Sequence, residues 1–577
     1  MVKKMIVILG GGYAGIEAAK VLSKKYRKNN QVEITLIDKN TYHTLMTELH
    51  EVAGSRVEPD SVMVSYERIF SGRKINVITD FITGIDFENR KLKSDKTEYG
   101  YDYLILGTGG SPEFFDIEGV QENSFSLWSL EDAMRIREHF EEQFRLAAKE
   151  PNPELKKQML TFVVAGAGFT GIELMGEFVE RRDVLCAKYH IPVSHVRMIV
   201  VEALDMVLPI IEPPLRKKVV SYLEKNGVEI RLGTPITGAE EGKVLLGDGT
   251  EIVTKTFIWT CGIHGSEFTS KIDLTMGSTA RGQCSVASAE GIHGMCGCWF
   301  DEAEKHVVGK RGRILVNDYM QSVDHDNVYV VGDNLWFVEN EKVLPQIVET
   351  ALQTGNTAAK NIIADIENTK KQAFKSNYHG FMVSIGGKYG VSNAGGIKVS
   401  GFMAMAMKHL INVHYLFGIA GLNAVWAYLQ HEFFDMKDRR TFLGEHFSWK
   451  IQGLWVVPLR VFLGVIWLLD GISKIRMAGI SSPIMIVAEL AIGLALIGGL
   501  FTWLTAVVSI VVCISYLSSG LFAPDQLWRI FAALPMLGGA GRSLGLDHWI
   551  MPALKRRWNG TKLAKRTHLY LGEPKLK

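Results

Sequence analysis

Short apolar runs that alternate with predicted helices dominate the first two thirds of the chain. Met5–Leu9 and Thr161–Ala165 are two such runs, and a glycine cluster follows each of them directly. A run of four to eight apolar residues before a glycine turn is typical of a buried strand. Up to about Asn393 the alternation of strands and helices predicts an α/β fold.

The last quarter of the chain has a different pattern, because long apolar stretches replace the alternation. Leu490–Pro524 contains no charged residue over 35 positions. As one helix it would be about 52 Å long at about 1.5 Å per residue, well beyond a hydrocarbon core of about 30 Å. We therefore expect two spans folded back near Gly498-Gly499 or Phe501–Trp503. Gly453–Leu469 and Leu527–Leu544 add two further spans, which makes about four helices.

The segment Phe402–Phe434 between these regions is apolar but is interrupted by polar side chains. It is rich in Met and aromatic residues, yet it contains Lys408 and His431. This composition favours a helix that lies in the membrane interface. After Leu554 the chain carries eight Lys and Arg against one acid, Glu573. Because positive residues stay cytoplasmic, an even number of crossings should leave this tail in the cytoplasm.

One glycine fingerprint occurs twice, about 156 residues apart, directly after the two apolar runs. The first copy is Gly10-Gly11-Gly12-Tyr13-Ala14-Gly15 and the second is Gly166-Ala167-Gly168-Phe169-Thr170-Gly171. Glycines at this spacing allow a tight turn and let backbone N–H groups approach a pyrophosphate at the positive end of the following helix. Two copies indicate two bound dinucleotides, most simply a flavin and a nicotinamide.

An acid follows the next predicted strand after each fingerprint. The strands Val32–Ile37 and Val196–Val201 end at Asp38 and Glu202. A carboxylate at this place accepts both hydroxyls of an adenosine ribose and repels a 2′-phosphate. No arginine follows Glu202 within Ala203–Met206, so NADH is favoured over NADPH. At either position alone, an ordinary strand-end charge is the alternative interpretation.

Two later strands end in small or acidic residues suited to a cofactor. The segment Tyr101–Gly110 is a predicted strand that ends in the small-residue turn Gly107-Thr108-Gly109-Gly110. The segment Asn327–Asp333 is a predicted strand that ends in Gly332-Asp333. The order of these segments after the first fingerprint fits the FAD site of a two-dinucleotide reductase, in which such an aspartate meets the ribityl chain or pyrophosphate. The fold class predicted is therefore α/β with two Rossmann-like dinucleotide-binding domains, followed by the interfacial helix and an all-α transmembrane bundle.

Charge and cysteine content narrow the function further. A net charge of +2 gives no sign of a nucleic-acid partner, and six cysteines in 577 residues make no disulfide framework, so a reducing compartment is favoured. Disulfide reductases of this architecture carry a Cys-x4-Cys motif after the first ribose acid, but here Asn40–Met46 contains no cysteine. Electrons should therefore leave the flavin for a diffusible acceptor.

An extra segment between Arg281 and Lys310 contains four potential zinc ligands, Cys284, His293, Cys296 and Cys298. Its Cys-x-Cys spacing is not the usual Cys-x2-Cys of zinc sites. We therefore predict a loop and no metal site.

From Met1 to about Phe434 the chain resembles the type II NADH:quinone oxidoreductases. The resemblance is carried by Phe169–Glu173 with Gly176-Glu177, by Phe257–Gly262, by Gly380–Gly386 and by the aromatic interfacial segment. It implies a single-subunit, FAD-containing enzyme that passes two electrons from NADH to a membrane quinone, of the menaquinone type, without pumping protons.

Position along the chain suggests roles for individual residues. Glu173 is predicted to lie in the first turn of the helix after the second fingerprint and to handle protons where nicotinamide meets flavin, with a helix-start carboxylate as the alternative. Lys388 could place a positive charge near reduced flavin or could be a surface lysine. The quinone motif Ala-Gln-x-Ala-x-Gln of the family corresponds to Val348–Gln353, where Glu349 replaces a glutamine and Gln353 is retained.

The candidate site residues fall into three binding groups. For FAD they are Gly10, Gly12, Tyr13, Ala14, Gly15, Asp38, Lys39, Thr108, Gly109 and Asp333. For NADH they are Gly166, Gly168, Phe169, Thr170, Gly171, Glu202, Cys261 and Gly262. For the quinone they are Glu349 and Gln353. The predicted parts are FAD domain 1–112 and 319–397, NADH domain 113–318, interface segment 398–436, transmembrane module 450–550 and basic cytoplasmic tail 551–577.

The predicted transmembrane module looks like the DoxX-like membrane modules. Arg460 opens its first span and Asp470-Gly471-x-x-Lys474 closes it. Asp470 and Lys474 are four residues apart and could pair on one helix face. Arg460 and Glu489 are costly in lipid unless they face the bundle interior. The alternatives for these groups are a structural pair and a proton or quinone path.

Two other functions stay open from the sequence. A sulfide:quinone oxidoreductase needs two cysteines beside the flavin, and a membrane flavin redox sensor or scaffold would pass electrons on slowly. The expected location is the plasma membrane of a prokaryote, with the catalytic domains on the cytoplasmic side. Homodimer formation is compatible with this interpretation.

Overall fold

The computed structural model describes residues 3–277, 312–434, 453–476, 483–567 and 569–571. The chain divides into two compact units: unit 1 is Met1–Ser448 with Lys575–Lys577, and unit 2 is Trp449–Pro574. The segment with Cys284, His293, Cys296 and Cys298 lies outside the described residues.

All described strands belong to unit 1. In chain order they are β1 (Lys4–Leu9), β2 (Val32–Asp38), β3 (Tyr42–Thr44), β4 (Met63–Ser65), β5 (Asn76–Thr79), β6 (Ile82–Asp86), β7 (Lys91–Ser94), β8 (Glu98–Gly100), β9 (Tyr103–Leu106), β10 (Gly110–Pro112), β11 (Phe125–Ser126), β12 (Thr161–Ala165), β13 (Arg197–Val201), β14 (Val228–Arg231), β15 (Ile236–Glu240), β16 (Lys243–Leu246), β17 (Glu251–Val253), β18 (Thr256–Trp259), β19 (Ile263–Gly265), β20 (Ile314–Leu315), β21 (Val328–Val330), β22 (Leu335–Trp336), β23 (Val338–Glu339), β24 (Lys342–Val343), β25 (Gly380–Ile385), β26 (Tyr389–Ala394) and β27 (Ile397–Ser400).

The described α-helices of unit 1 alternate with these strands. They are α1 (Tyr13–Lys25), α2 (Leu49–Ala53), α3 (Tyr66–Phe70), α4 (Val120–Asn123), α5 (Leu130–Ala147), α6 (Pro153–Met159), α7 (Phe169–Tyr189), α8 (Pro213–Lys225), α9 (Val348–Glu367) and α10 (Phe402–Leu429). The α-helices described in unit 2 are α11 (Val456–Arg476), α12 (Pro483–Gly498), α13 (Thr502–Ser518), α14 (Trp528–Ala533), α15 (Asp547–Asn559) and α16 (Lys562–Thr567).

Two five-stranded parallel sheets form the centre of unit 1. Their orders are β21-β9-β1-β2-β5 and β11-β18-β12-β13-β14. Residues of the central strands, such as Ile8 and Val164, are wholly buried. A parallel sheet is covered on both faces, so its strands read as continuous apolar runs. This is why the two runs before the glycine clusters could be recognised in the sequence.

Strand register brings the glycine turns and the acids to the same sheet edges. Leu9 lies opposite both Ile37 and Leu106, so the first glycine turn, the first ribose acid and the 107–110 turn leave one edge together. In the second sheet, Ala165 lies opposite both Val201 and Trp259. The carboxyl edge of a parallel sheet is where α/β proteins bind their ligands.

Antiparallel sheets complete unit 1. The sheets β6-β7-β8, β15-β16-β17 and β25-β26-β27 each have three strands. Strand β10, which follows β9 of the first five-stranded sheet, pairs with β19, which follows β18 of the second. The β25–β26 hairpin packs tightly on α7, since a Cβ added to Gly176 would lie 2.5 Å from the Gly386 nitrogen. Glycine at position 176 therefore fixes how closely this hairpin approaches the helix.

Helix α10 has one face packed on the body of unit 1 and an opposite apolar face exposed. The exposed side chains are all more than half accessible and are Phe402, Met403, Leu410, Phe417, Leu422 and Trp426. The helix is interrupted at Gly421, which has φ +70° and ψ −165°, and a π-helical turn, Gln430–Phe434, follows it. By length and composition Phe402–Phe433 could cross a membrane, as could Val456–Arg476.

Unit 2 is helical, and its bends lie partly where the sequence predicts them. The turn between α12 and α13 has Gly499 at φ +65° and Phe501 at φ +45°, as expected from the glycine pair. The prediction of one helix over Leu527–Leu544 is wrong. Helix α14 ends at Ala533, because Pro535 then lacks the N–H that an α-helix needs and the left-handed Gly539 follows it.

The predicted pairing of Asp470 with Lys474 is also wrong. Lys474 forms an ion pair with the fully buried Glu489 of the next helix, and Arg529 donates to Asp470 over 2.5 Å. A buried carboxylate is strongly destabilising without a cation, so Glu489 takes the lysine of the neighbouring helix.

Arg460 and Glu489 are both predicted to face the inside of the helical bundle. Both side chains are buried in unit 2. The guanidinium of Arg460 is almost wholly buried and donates to the carbonyl oxygens of Ala540, Ser543 and Leu544 over 2.8–3.0 Å. These carbonyls belong to the segment in which the predicted fourth helix is interrupted. The arginine therefore supplies hydrogen bonds that a continuous helix would have made internally.

Candidate active site

The first glycine turn forms a cradle that only small residues can build. Gly10 has φ +104°, and a Cβ on Gly15 would lie 1.9 Å from the Gly10 oxygen. A Cβ on Gly12 would instead meet nothing within 4 Å. Helix α1 has no side-chain cap and no acid in its first turn, as far as its described residues show. Its first N–H groups are therefore available to a phosphate.

The second glycine turn repeats this geometry. Gly166 has φ +96°, a Cβ on Gly171 would lie 2.0 Å from the Gly166 oxygen, and the space beyond Gly168 is open. Helix α7 likewise starts without a side-chain cap or an acid in its first turn, among the residues described. Both cradles thus fit a dinucleotide pyrophosphate on observations of this chain alone.

The two acids make the same contacts in the two cradles. Asp38 accepts from the backbone N–H of Gly11 over 2.6 Å, and Glu202 accepts from that of Ala167 over 2.7 Å. These bonds hold each carboxylate at the mouth of its turn. Since a carboxylate oxygen has two lone pairs, each acid can still accept the hydroxyls of a ribose.

The other predicted FAD residues lie around the first cradle, and Asn334 joins them. The fully buried Asn334 accepts from the Gly109 N–H over 2.8 Å and donates to Thr108 over 3.2 Å. Asp333 precedes it, and burial raises the pKa of Asp333 to about 6 although Arg313 opposes this shift. Lys39 is exposed. The sequence analysis missed Asn334, although it directly follows the Gly-Asp pair.

Tyr13 connects the first cradle with α10. Its ring lies edge-on to the ring of His43 at 4.7 Å and 5.2 Å from the ring of Tyr415, which belongs to α10. Burial raises the pKa of Tyr13 to about 12. Because His43 also contacts the Gly11 oxygen over 3.2 Å, the turn and the helix are held together through aromatic rings.

The predicted NADH residues surround the second cradle. Phe169 and Thr170 begin α7, and Gly262, with φ +75°, turns away from β18. Cys261 lies under the turn, with its sulfur 3.0 Å from the Cβ position of Gly166. Burial raises the pKa of the Cys261 thiol, which keeps it protonated and therefore a weak nucleophile.

Glu173 lies where three parts of unit 1 meet. Its predicted position is the first turn of α7. In the structure it is the fifth residue of this helix, just beyond that turn. Its carboxylate accepts from the backbone N–H of Ser384 over 3.1 Å and from its hydroxyl over 3.3 Å, and it lies 3.7 Å from His50 Nδ1. Ser384 belongs to β25 and His50 to α2, so neither neighbour is near Glu173 in the sequence.

The surroundings of Glu173 favour its neutral form. Burial raises the pKa of Glu173 well above its usual range, although the bonds from Ser384 oppose this shift. Burial and the charge of Lys408 lower the pKa of His50 to about 3, so His50 is a neutral neighbour that also contacts the Ser384 hydroxyl over 3.0 Å. A protonated carboxyl between hydrogen-bonding partners is a proton store.

Lys388 lies at the exposed tip of the β25–β26 hairpin, and its backbone N–H donates to Glu180 over 3.3 Å. Glu180 is seven residues beyond Glu173 on α7, which corresponds to about 10 Å along a helix. The structure therefore does not bring Lys388 to Glu173, and its place near the flavin stays a prediction beside the alternative of a surface lysine.

The predicted quinone residues begin α9, next to the first cradle. Thr354 accepts from the Gly332 N–H over 3.1 Å, and a Cβ on Gly355 would lie 2.3 Å from the Ala14 oxygen. Glu349 and Gln353 project from the same end of this helix toward the segment 377–379. The start of α9 is thus fixed against the cradle predicted for FAD.

A buried ionic cluster, here called the α10 cluster, joins α2 and α7 to α10 and the π-helical turn. Its members are Glu48, Glu51, Arg56, Glu177, Lys408 and Glu432. Arg56 contacts Glu177 over 2.8 Å and Glu432 over 3.2 Å, and Lys408 contacts Glu48 over 2.8 Å; both cations also contact Glu51.

The electrostatics of the α10 cluster explain why a charged residue is tolerated in an apolar helix. Burial opposes the charge on Glu48, but Lys408 outweighs it and lowers the pKa of Glu48 to about 2. Likewise burial opposes the charge on Arg56, but Glu177 and Glu432 outweigh it and raise the pKa of Arg56. Lys408 therefore faces the protein, and the opposite face of α10 is apolar apart from the exposed His414.

Replacement of Arg56 with methionine should destabilise unit 1 by about 3–5 kcal/mol, because three carboxylates would remain buried without their shared cation. Urea unfolding at pH 7 measures this loss, and it should shrink at pH 5, where a carboxylate can take up a proton. The control is Arg137→Met, which removes a half-exposed pair with Glu58 and should change stability little. An unfolding midpoint for Arg56→Met equal to that of the wild type would contradict the proposed importance of the cluster.

Comparison with known proteins agrees with the fold. The family model described as pyridine nucleotide-disulphide oxidoreductase matches residues 4–288. The type II NADH:quinone oxidoreductase of Staphylococcus aureus strain NCTC 8325 / PS 47 is 30% identical over 425 residues, which are 73% of this chain and 97% of that protein. The enzyme of the same name from Staphylococcus epidermidis is 29% identical over the same shares.

Two solved structures share the fold. NDH2 from Plasmodium falciparum in complex with NADH has a TM-score of 0.62 at 14% identity, over 74% of this chain and 97% of that one. The sulfide:quinone oxidoreductase from Aquifex aeolicus has a TM-score of 0.55 at 17% identity, over 74% and 92%. At these identities the likeness concerns the fold alone.

The double cradle and these matches define a flavin- and nicotinamide-dependent oxidoreductase of the pyridine nucleotide-disulphide oxidoreductase fold. Within that class, the chain belongs to the type II NADH:quinone oxidoreductase family. The predictions of the fold class, of an FAD-dependent NADH dehydrogenase and of FAD and NADH as cofactors are thereby confirmed. The match to the relatives covers 73% of the chain.

Proposed function

We propose that the protein oxidises NADH and passes two electrons through non-covalently bound FAD to a membrane quinone of the menaquinone type, without pumping protons. The observation that carries the proposal is the position of Glu173. This buried carboxyl contacts β25 and α2 from the start of the helix that leaves the NADH cradle. These contacts support a role for Glu173 as a proton store beside the helix that leaves the NADH cradle.

In this proposal each cradle binds its cofactor through backbone N–H groups and one acid. Bound FAD would supply the two-electron chemistry that links the hydride donor NADH to the quinone. Asp38 and Glu202 hold the two riboses, and Asp333 with the Thr108–Gly109 turn orients the flavin side chain. Glu173 holds a proton that can be given up and taken back during turnover. Glu349 and Gln353 line the quinone site at the start of α9.

Membrane attachment is proposed from the exposed face of α10. A row of large apolar side chains on one face, with the charged Lys408 turned inward, is typical of an interfacial helix. We propose that unit 1 lies on the cytoplasmic side of a prokaryotic plasma membrane. Its FAD domain would comprise 1–112 and 319–397, its NADH domain 113–318 and its interface segment 398–436.

Unit 2 is proposed to be a DoxX-like membrane module. The module would comprise 450–550, with the basic tail 551–577 in the cytoplasm. Three described helices there are apolar, and their charged groups Arg460, Asp470, Lys474 and Glu489 are paired or face inward, whereas Arg476 is exposed at a helix end. This arrangement is what lipid requires of ionisable side chains. A homodimer is proposed as the oligomeric state.

Steady-state turnover of the detergent-purified protein tests the proposal. We expect a bound flavin, NADH oxidation faster than NADPH oxidation, and faster reduction of menaquinone than of ubiquinone analogues. Sulfide in place of NADH should not support turnover. Reduction of the flavin by NADH with almost no transfer to any quinone would instead identify a redox sensor and overturn the proposal.

A further inference from the structure

A carboxylate–imidazole pair stands at the position where this chain departs from the quinone motif of its family. Glu349 contacts the His379 ring at Nδ1 over 2.9 Å and accepts from the His379 backbone N–H over 3.1 Å. The His379 side chain is 69% exposed and that of Glu349 is 31% exposed. A glutamine at position 349 could make similar hydrogen bonds, but it could not balance a charged imidazole.

The same short segment is fixed to α9 by two further side chains. Gln353 donates to the Asn377 oxygen over 2.7 Å and accepts from its N–H over 2.8 Å, and Thr350 contacts the Tyr378 hydroxyl over 3.1 Å. Three residues of the first two turns of α9 thus hold 377–379 in one place. The imidazole is therefore positioned on the quinone motif itself and does not hang from a free loop.

The charged and titratable groups around the pair come from three elements. Glu349 lies on α9, Tyr378 lies beside His379 on the segment, and Glu339 of β23 accepts from Ser376 at the start of the same segment. On Nε2 the imidazole faces the Asn377 amide at 3.3 Å. Besides His379 and Tyr378, the ionisable side chains named here are the acids Glu349 and Glu339, and Glu349 is the one that contacts the imidazole.

We propose that His379, held by Glu349, is the proton donor to the quinone. This inference rests on the proposed NADH:quinone activity. NADH + H⁺ + quinone gives NAD⁺ + quinol, and the hydride supplies two electrons and one proton. One further proton must come from water. The N–H bond of the His379 imidazolium breaks as an O–H bond forms on a quinone oxygen, and the exposed ring then takes a proton from solvent.

The test compares His379→Gln and His379→Ala with the wild type, using NADH with a water-soluble menaquinone analogue or with ferricyanide. Ferricyanide accepts electrons without protons, so it reports the flavin and NADH steps alone. We expect kcat with the quinone to fall about 100-fold, since general acid catalysis contributes about 100- to 10,000-fold. The rate with ferricyanide and the flavin content should stay at the wild-type level, which shows that the variants fold.

Two further readouts separate proton transfer from a structural role. The wild-type kcat with the quinone should fall with rising pH as the imidazole loses its proton, and this limb should vanish in His379→Gln. Added imidazole should restore at least a tenth of the quinone rate to His379→Ala, because the position is exposed.

Equal quinone rates and pH profiles in the wild type and His379→Gln would overturn the inference and leave the proposed function intact. A quinone rate that is lost in His379→Ala without any rescue by imidazole would assign the pair a structural role and would likewise overturn it. If the wild type reduces ferricyanide but no quinone, the proposed function itself fails. The three results are distinct.

Discussion

Gly171→Ala is expected to lower the rate of flavin reduction by NADH about 100-fold while the protein keeps its FAD. The added Cβ would lie 2.0 Å from the Gly166 oxygen and 2.8 Å from the Thr260 hydroxyl, so the second turn must move away from the pyrophosphate. Overpacking of this kind costs about 1–3 kcal/mol, and about 2.8 kcal/mol corresponds to 100-fold. Anaerobic stopped-flow absorbance of the flavin measures the effect.

The matching change in the first cradle should have a different result. Gly15→Ala places its Cβ 1.9 Å from the Gly10 oxygen, and we expect protein that retains little flavin after purification. Gly84→Ala is the control, because a Cβ at that position meets nothing within 4 Å, and it should leave both flavin content and NADH reduction unchanged. A colourless Gly171→Ala protein together with a fully flavin-loaded Gly15→Ala protein would reverse the assignment of the two cradles.

The cradles could be predicted from sequence because every constraint on them is local. A positive φ at Gly10 and Gly166, a helix start without a cap and an acid at the next strand end all lie within about 40 residues of one another. Each constraint restricts the residue type at a fixed spacing. The same locality explains why the turn near Gly499 could be placed.

The partners of Glu173 could not be predicted because they come from distant parts of the chain. Ser384 lies 211 positions after Glu173, and His50 comes from the other dinucleotide domain. The sequence around Glu173 would look the same whether or not Ser384 and His50 were close to it in the fold. What decides its protonation is burial between α7, α2 and β25, and burial is a property of the packed structure.

The wrong predictions for charged side chains in the apolar regions have a related cause. Spacing of four residues predicts a contact on an isolated helix, but Asp470 and Lys474 each pair with a neighbouring helix instead. In α10, Lys408 reads as an interruption of an apolar face, whereas it forms part of the α10 cluster. In both cases a buried acid on another element determines the partner, since leaving it alone would be costly.

Glu173→Gln is expected to slow quinone reduction about 100-fold, while flavin reduction by NADH changes less than about twofold. Glutamine has nearly the shape of a protonated glutamic acid and can still accept from the N–H and hydroxyl of Ser384, so the variant loses the exchangeable proton but keeps the packing. Stopped-flow measurement of the two half-reactions checks this, with Ser384→Ala as a control for the hydrogen bond. Unchanged rates in both half-reactions would remove Glu173 from the mechanism.

The same variant should change the pH dependence of stability in a defined direction. Burial raises the pKa of Glu173 well above its usual range, so the folded protein keeps a proton that the unfolded chain releases above about pH 4.3. Because the unfolded state then binds fewer protons, the contribution of Glu173 to stability is complete below that pH and is lost as the pH rises through the raised pKa. Glutamine does not titrate, so Glu173→Gln should gain stability relative to the wild type between pH 5 and pH 8 in urea unfolding. A constant difference across that range would mean that Glu173 is ionised in the folded protein and stores no proton.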